Sequence, residues 1–444
     1  MRGAIAAGHP LTADAGARIL EEGGNAVDAL LAAAFTAFVT EGPLTGPAGG
    51  GLLLVHSPAG ETTLLDGFFA VPSRPLGEME EVVIDFADSG TQDFHIGEGS
   101  VAVPGLVAAL EEAHRRFATR EWAQLVQPAL ELALVGVACD EPRLFLHSIL
   151  HGVLLREEGG RRLYGDPERV HTEDLCATLE RIGEAGAAAI LDLLPEYADD
   201  LAAYEVAELE PIESDADGHR VLTPPAPSRG GRIVAQTLVM LAAGGDASLR
   251  DEARALQLAY GGAGAGPLTG TTHISVIDGS GMTAALSSTL GSGSGVFRGG
   301  AQLNNMLGEL DVIGHEERPS GARLPTMLAP TLVLEHGRPR VALGSAGSVR
   351  LAGAIAQVAW RVIRGRPVAE AIDAPRIHVD GSTLHLEGGW AEEATLRLGD
   401  GFEVVRWLGR NLFFGGVQAV ELRSDGTLAA AGDPRRGGAG RVVE

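Results

Sequence analysis

Gly270-Thr271-Thr272-His273-Ile274-Ser275-Val276-Ile277-Asp278 decides how this chain is read. A glycine precedes two threonines, and an alternating strand pattern follows at once. A mid-chain threonine is a poor nucleophile because its hydroxyl has no base beside it. If the peptide bond before it is cut, the freed α-amine lies next to the hydroxyl and can take its proton. If Gly270–Thr271 were such a bond, Thr271 would gain this base. A glycine before the scissile bond is expected to allow a strained backbone. His273, two residues on, is expected to be structural rather than a base for the hydroxyl.

Composition narrows the chemistry. The chain has 444 residues, 45% hydrophobic and only 5% aromatic, which indicates an aliphatic folded core. It contains no lysine. That excludes a P-loop, whose lysine binds phosphates, and pyridoxal phosphate, which needs a lysine Schiff base. A formal charge of −25 argues against nucleic acid or an anionic membrane as partner. Two cysteines, Cys139 and Cys176, are too few for a disulfide framework and are expected to be buried free thiols in helical stretches. Met1 to Ile5 carries no signal-like apolar core, and Ala29 to Val39 is too short to span a bilayer, so the expected location is cytoplasmic.

The coarse pattern is mixed α/β. Thr12 to Glu22 and Ala26 to Val39 read as helices, with Gly23-Gly24 stopping the first and Asn25 capping the second. Gly51 to Ser57 and Glu61 to Phe69 read as a hairpin, and Leu106 to Arg116 and Trp122 to Val135 as helices. Gly261 to Leu268 reads as a mobile connector. Beyond Thr271, strand pairs are expected to meet at Gly279-Ser280-Gly281, Glu335-His336-Gly337 and Asp425-Gly426, with a helix from Leu351 to Ile363.

Further landmarks stand in one order along the chain: Glu21 to Ala29, Gly49-Gly50-Gly51, Val103-Pro104-Gly105, Pro227 to Gly231, Gly344 to Ser348 and Asp433-Pro434-Arg435. With the Thr271 run they resemble the γ-glutamyltranspeptidases, self-cleaving N-terminal-nucleophile hydrolases. The resemblance implies a four-layer αββα sandwich, with residues 1–270 as a helix-rich large fragment and 271–444 as a strand-rich small one. The two would share one core and stay associated after the cut; a dimer of such pairs is left open. It implies cleavage at Gly270–Thr271, nucleophilic attack by Thr271, support from the Thr289 hydroxyl, and oxyanion donors on the backbone of Gly347 and Ser348. No metal or organic cofactor is implied.

Departures from the family's pattern concern the acyl group. Where the γ-glutamyl site places a carboxylate-clamping arginine, this chain has Phe68. Glu309 keeps one acid where the family binds the substrate amine. Thr326 follows Pro325 in place of a serine pair, and Gly291 stands where an asparagine would. The resemblance, so modified, implies hydrolysis or transfer of an acyl group from a small-molecule amide to water or an amine, with a non-standard donor. Three alternatives remain: true γ-glutamyl chemistry in a rebuilt pocket, C–C bond hydrolysis by the same nucleophile, and a non-catalytic binding relative. His147 and His151, four apart, lack the glutamate of a zinc-protease helix and are expected to lie on one exposed helix without a metal.

Overall fold

A computed structural model of the chain describes residues 2–85, 91–245, 248–261, 270–392, 398 and 401–444. The expected connector lies, beyond Gly261, outside the described residues. Thirteen strands form the two main sheets: β1 Gly3–Ala7, β2 Gly50–His56, β3 Thr62–Gly67, β4 Ala207–Leu209, β5 Ile212–Ala216, β6 His219–Thr223, β7 Gly270–Asp278, β8 Thr283–Gly291, β9 Thr331–Glu335, β10 Arg338–Ala346, β11 Gly416–Leu422, β12 Leu428–Gly432 and β13 Ala439–Val443. One sheet runs β13-β1-β7-β8-β2-β3-β4 and the other β12-β11-β10-β9-β6-β5. Every neighbouring pair in both is antiparallel. Each sheet draws strands from both sides of Gly270.

Side-chain alternation separates four layers. On β2, Leu53 and Val55 pack outward with helices α1 Pro10–Glu21, α2 Ala26–Thr40, α3 Leu106–Phe117 and α4 Trp122–Ala133. Leu54, between them in sequence, points the other way and meets Leu222, Leu332 and Leu334 of the second sheet. A second seam joins Ala4, Ala6 and Ile277 to Val420 and Leu428. Beyond the second sheet, Val333, Val341 and Leu343 pack with α5 Arg229–Gly244, α6 Leu249–Tyr260 and α7 Leu351–Ile363. Each fully buried leucine at these seams contributes about 1.5–3 kcal/mol. The fold is the αββα sandwich.

Local signals act as their chemistry demands. The Asn25 side chain accepts from Val27 and Asp28 N–H while Asp28 takes the Asn25 N–H, a reciprocal cap that starts α2. The three expected strand pairs join at the expected turns. In one, His336 and Gly337 both take left-handed φ values, 52° and 78°, the geometry a tight hairpin requires. The reading of the cysteines needs correcting. Both thiols are free, but both are only half-buried. Cys139 follows a short strand, Val137–Ala138, and Cys176 opens a helix, Cys176–Ala185. Apolar neighbours in sequence concealed that these residues lie at element ends. Among the described residues, no helix is long and apolar enough to cross a membrane.

Candidate active site

The start of β7 is irregular. Gly270 pairs with Gly291 and Thr272 with Ser288, so Thr271 alone stands opposite two residues, Thr289 and Leu290, and the extra residue lies on β8. Such a bulge re-aims one side chain out of the pleat. Thr271 is buried, at 2% exposure. The Thr289 hydroxyl donates to the Gly270 carbonyl oxygen and accepts the Gly291 N–H at 2.9 Å. The carbonyl before the candidate nucleophile is thereby polarised by a neighbouring donor. Gly270 is needed for a reason other than the one expected: its φ is not in the left-handed range, so the backbone is not strained there. A Cβ at Gly270 would instead lie 2.6 Å from the Gly291 oxygen and 2.9 Å from the Pro43 oxygen.

Thr271, Thr289, Gly291, Phe68, Glu309, Thr326 and Ser348 line one cavity, together with Met306, Val312, Met327, Leu328 and Leu351. Its room for a water-sized occupant is about 20 Å³, enough for a water but not for an acyl group. Gly270 and Gly347 adjoin this wall without lining it. The gathering is non-local, since Phe68 and Ser348 arrive from opposite ends of the chain. Among the described residues that line the cavity, Glu309 is the single ionisable side chain. Its Oε1 accepts the Ser292 N–H and hydroxyl, each at 2.8 Å, whereas Oε2 has no partner among the described residues. Burial pushes this carboxyl up to about 7, against the pull of the Ser292 hydrogen bonds.

Other residues take supporting positions. Gly291 has a φ of 69°, and a Cβ there would lie 2.2 Å from Asn305 Oδ1. Asn305 Oδ1 accepts the Ser292 and Gly293 N–H groups at 2.7 and 3.1 Å, holding that turn against Glu309. The Thr326 hydroxyl oxygen accepts the Leu328 N–H at 3.1 Å. Phe68 is 1% exposed and meets the Phe69 ring edge-on at 4.9 Å. Ser348 has φ 54° and a buried hydroxyl with no partner among the described residues.

His273 stands apart from this chemistry. Its ring nitrogens are 2.8 Å from the Ser287 and Ser275 hydroxyls, and burial pushes its pKa down to about 3. The imidazole is a neutral bridge between serines. Sequence reasoning missed Glu41, which follows α2. Its carboxylate accepts from the Thr272 hydroxyl and, at 3.1 Å, from Thr12, and burial pushes it up to about 7. No local pattern could place Glu41 behind a strand 231 residues away in sequence. His147 and His151 fall in separate short helices, Glu141–Ile149 and His151–Leu154. Among the described residues no three His, Cys, Asp or Glu side chains are grouped to hold a metal. A larger cleft of about 410 Å³, between α3 and the segment around Ala187 to Ala202, shares no residue with the Thr271 cavity.

The landmark Asp433-Pro434-Arg435 is a structural knot. Asp433 is fully buried, pairs with Arg376 at 2.5 Å and accepts the Val417 N–H at 3.0 Å. Arg435 grips Glu387 with two contacts of 2.6 and 2.7 Å. Burial alone would raise the Asp433 pKa, but Arg376 and Arg435 outweigh it and hold the carboxyl below its ordinary range.

The family model for gamma-glutamyltranspeptidase matches residues 12–192 and 248–443. The chain belongs to that family. It is 27% identical to the Acylase ACY 1 proenzyme of Pseudomonas sp. (strain SE83) over 516 residues, covering 97% of this chain and 91% of that one. It is 26% identical to the Glutathione hydrolase proenzyme of Escherichia coli (strain K12), covering 98% and 91%. The fold also matches the crystal structure of cephalosporin acylase from Bacillus halodurans, with a TM-score of 0.85 at 21% identity over 100% of this chain and 96% of that one. The chain is therefore an enzyme of amide hydrolysis or acyl transfer on an N-terminal-nucleophile fold.

Proposed function

We propose that this enzyme cuts itself between Gly270 and Thr271, and that the freed Thr271 then carries an acyl group from a small-molecule amide to water or an amine. The observation that carries the reading is the Thr289–Gly270 hydrogen bond, made from the bulge of β8 that faces Thr271. In self-cleavage the Thr271 hydroxyl attacks the Gly270 carbonyl carbon, with the Thr289 hydroxyl facing the oxygen that gains charge. The C–N bond breaks as the ester forms, and water then releases the Gly270 carboxylate and leaves Thr271 with a free α-amine. In turnover the hydroxyl attacks the substrate amide carbonyl while the α-amine takes its proton and passes it to the leaving nitrogen. Backbone N–H groups of Gly347 and Ser348 receive the oxyanion in this reading. Water or an amine then takes the acyl group from the threonyl ester. The nucleophile carries its own base, so no cofactor enters.

The fragments 1–270 and 271–444 would stay together, because the cut opens a chain whose two parts interleave in both sheets. The relatives named as proenzymes support maturation by cleavage. For the donor, the proposal follows the cavity wall: among the described residues no cation lines it, and Phe68 presents a ring. A γ-glutamyl group would bring its α-carboxylate to that ring, at a cost of about 2–5 kcal/mol, or roughly 30- to several-thousand-fold in rate. The proposed donors are amides whose acyl end near Phe68 is apolar or uncharged. The relative named as an acylase fits such donors, and the one named as a glutathione hydrolase represents the competing chemistry.

Intact-mass measurement of the wild type and of Thr271→Ala, with a panel of acyl and γ-glutamyl anilides, tests both parts. The wild type is expected as two fragments of roughly 28 and 18 kDa, by residue share of 45.9 kDa, and Thr271→Ala as one chain. A full-length wild type that is nonetheless active would sink the mechanism. A γ-glutamyl anilide as best donor would overturn the donor class alone.

A further inference from the structure

Ser348 combines a left-handed backbone with a buried hydroxyl that has no hydrogen-bond partner among the described residues. Three non-glycine residues have left-handed φ among the described residues: Asp217, His336 and Ser348. Asp217 and His336 are exposed and sit in hairpin turns, where that geometry closes the loop. Ser348 is 2% exposed and opens a 3₁₀ turn, Ser348–Arg350, leading into α7. A side chain is unfavourable at this φ, and glycine would relieve it. The hydroxyl is also buried without a hydrogen-bond partner among the described residues, which adds a second penalty. Glycine would remove that one as well.

Two penalties at one residue lining the Thr271 cavity indicate a partner that arrives with the substrate. A hydroxyl can donate and accept, but one that only accepted would leave its proton unpaired, so the arriving atom has to be an acceptor. Building on the function proposed above, where the Ser348 N–H faces the oxyanion, the side-chain oxygen of the same residue adjoins the reacting carbonyl. We infer that the Ser348 hydroxyl donates a hydrogen bond to an acceptor oxygen borne by the acyl group beside that carbonyl. Ser348 is then a specificity-determining residue, and the preferred donors are oxygen-substituted acyl amides such as alkoxyacyl or acyloxyacyl amides.

Methoxyacetyl and butyryl p-nitroanilides test this, since they differ by an oxygen in place of a methylene. The ratio of their kcat/KM values, corrected for the rates of the same anilides with hydroxide, is measured for wild type, Ser348→Ala and Ser348→Gly. The wild type is expected to favour methoxyacetyl by about tenfold or more, and both variants to lose that preference. Ser348→Gly is expected to unfold at a temperature no lower than the wild type, which separates the effect from damage to the fold. A purely structural role would scale both substrates alike and leave the ratio unchanged, and an unchanged ratio overturns the inference while the function proposed above stands. A wild type that is cleaved at Gly270 but turns over neither anilide would instead overturn the proposed donor class, and this inference with it.

Discussion

Replacing Thr289 with valine removes one hydroxyl and little else. In the uncut chain that hydroxyl donates to the Gly270 carbonyl and accepts the Gly291 N–H at 2.9 Å. One donor to a developing oxyanion contributes about 2.7–4 kcal/mol to the transition state. The same hydrogen bond already exists in the ground state, where its net contribution is about 1 kcal/mol. Only the difference, about 2–3 kcal/mol, slows the reaction, so Thr289→Val should cleave itself roughly 30- to 150-fold more slowly. The stranded Gly291 N–H should cost about 1–3 kcal/mol of stability as well. The assay is a time course of intact mass on freshly purified protein, with unfolding midpoints recorded beside it. Thr289→Ser keeps the hydroxyl and should process much nearer the wild-type rate. A folded Thr289→Val that processes as fast as wild type would refute the role given to this hydroxyl.

Glu309 gives a pH signature. Folded Glu309 keeps its proton up to about 7, whereas its ordinary value is 4.5. Its contribution to stability is therefore complete below about pH 4.5 and is lost as pH rises through about 7, a change of about 3 kcal/mol. Glu309→Gln should lose this share of the fall when urea unfolding is compared at pH 4.5 and 7.5, leaving the share of Glu41, and an unchanged pH slope would contradict the assignment. His273→Asn should lose about 1–3 kcal/mol of stability through its broken serine contacts yet still process within a few-fold of wild type; a folded variant unable to process would make His273 part of the chemistry. Treatment with EDTA should leave processing and turnover unchanged, and a loss restored by one particular divalent ion would show that the site was misread.

The parts legible from the sequence are those whose cause is local. Asn25 with Asp28 three residues on forms a capping box, Asp425-Gly426 forms a turn, and Leu351 to Ile363 is apolar at helical spacing; each became the expected element. The gathering of Phe68, Glu309, Thr326 and Ser348 around Thr271 came from family order, because no periodicity links residues so far apart. The features that stayed hidden depend on a partner strand or on burial. The bulge of β8 opposite Thr271 exists only through the pairing of Gly291 and Ser288 with β7, and the need for Gly270 comes from two carbonyls on other segments. Glu41 behind Thr272, the left-handed Ser348 and the half-exposed cysteines are likewise set by tertiary surroundings.

The first and last strands of the chain lie side by side: Gly3 pairs with Val443, and the Arg2 N–H donates to the Val443 oxygen at 2.9 Å. A short linker could therefore join the two ends without crossing the sandwich, and the gene could be reopened at the codon for Thr271. Translated in that order, the protein would begin at the proposed nucleophile once the initiator methionine is trimmed, and would need no internal cut for the proposed chemistry. Self-cleavage in this architecture is thus a way of making a chain end in the middle of a sheet. A permuted gene makes the same end by ordinary translation, so maturation and catalysis can be studied separately in one sequence.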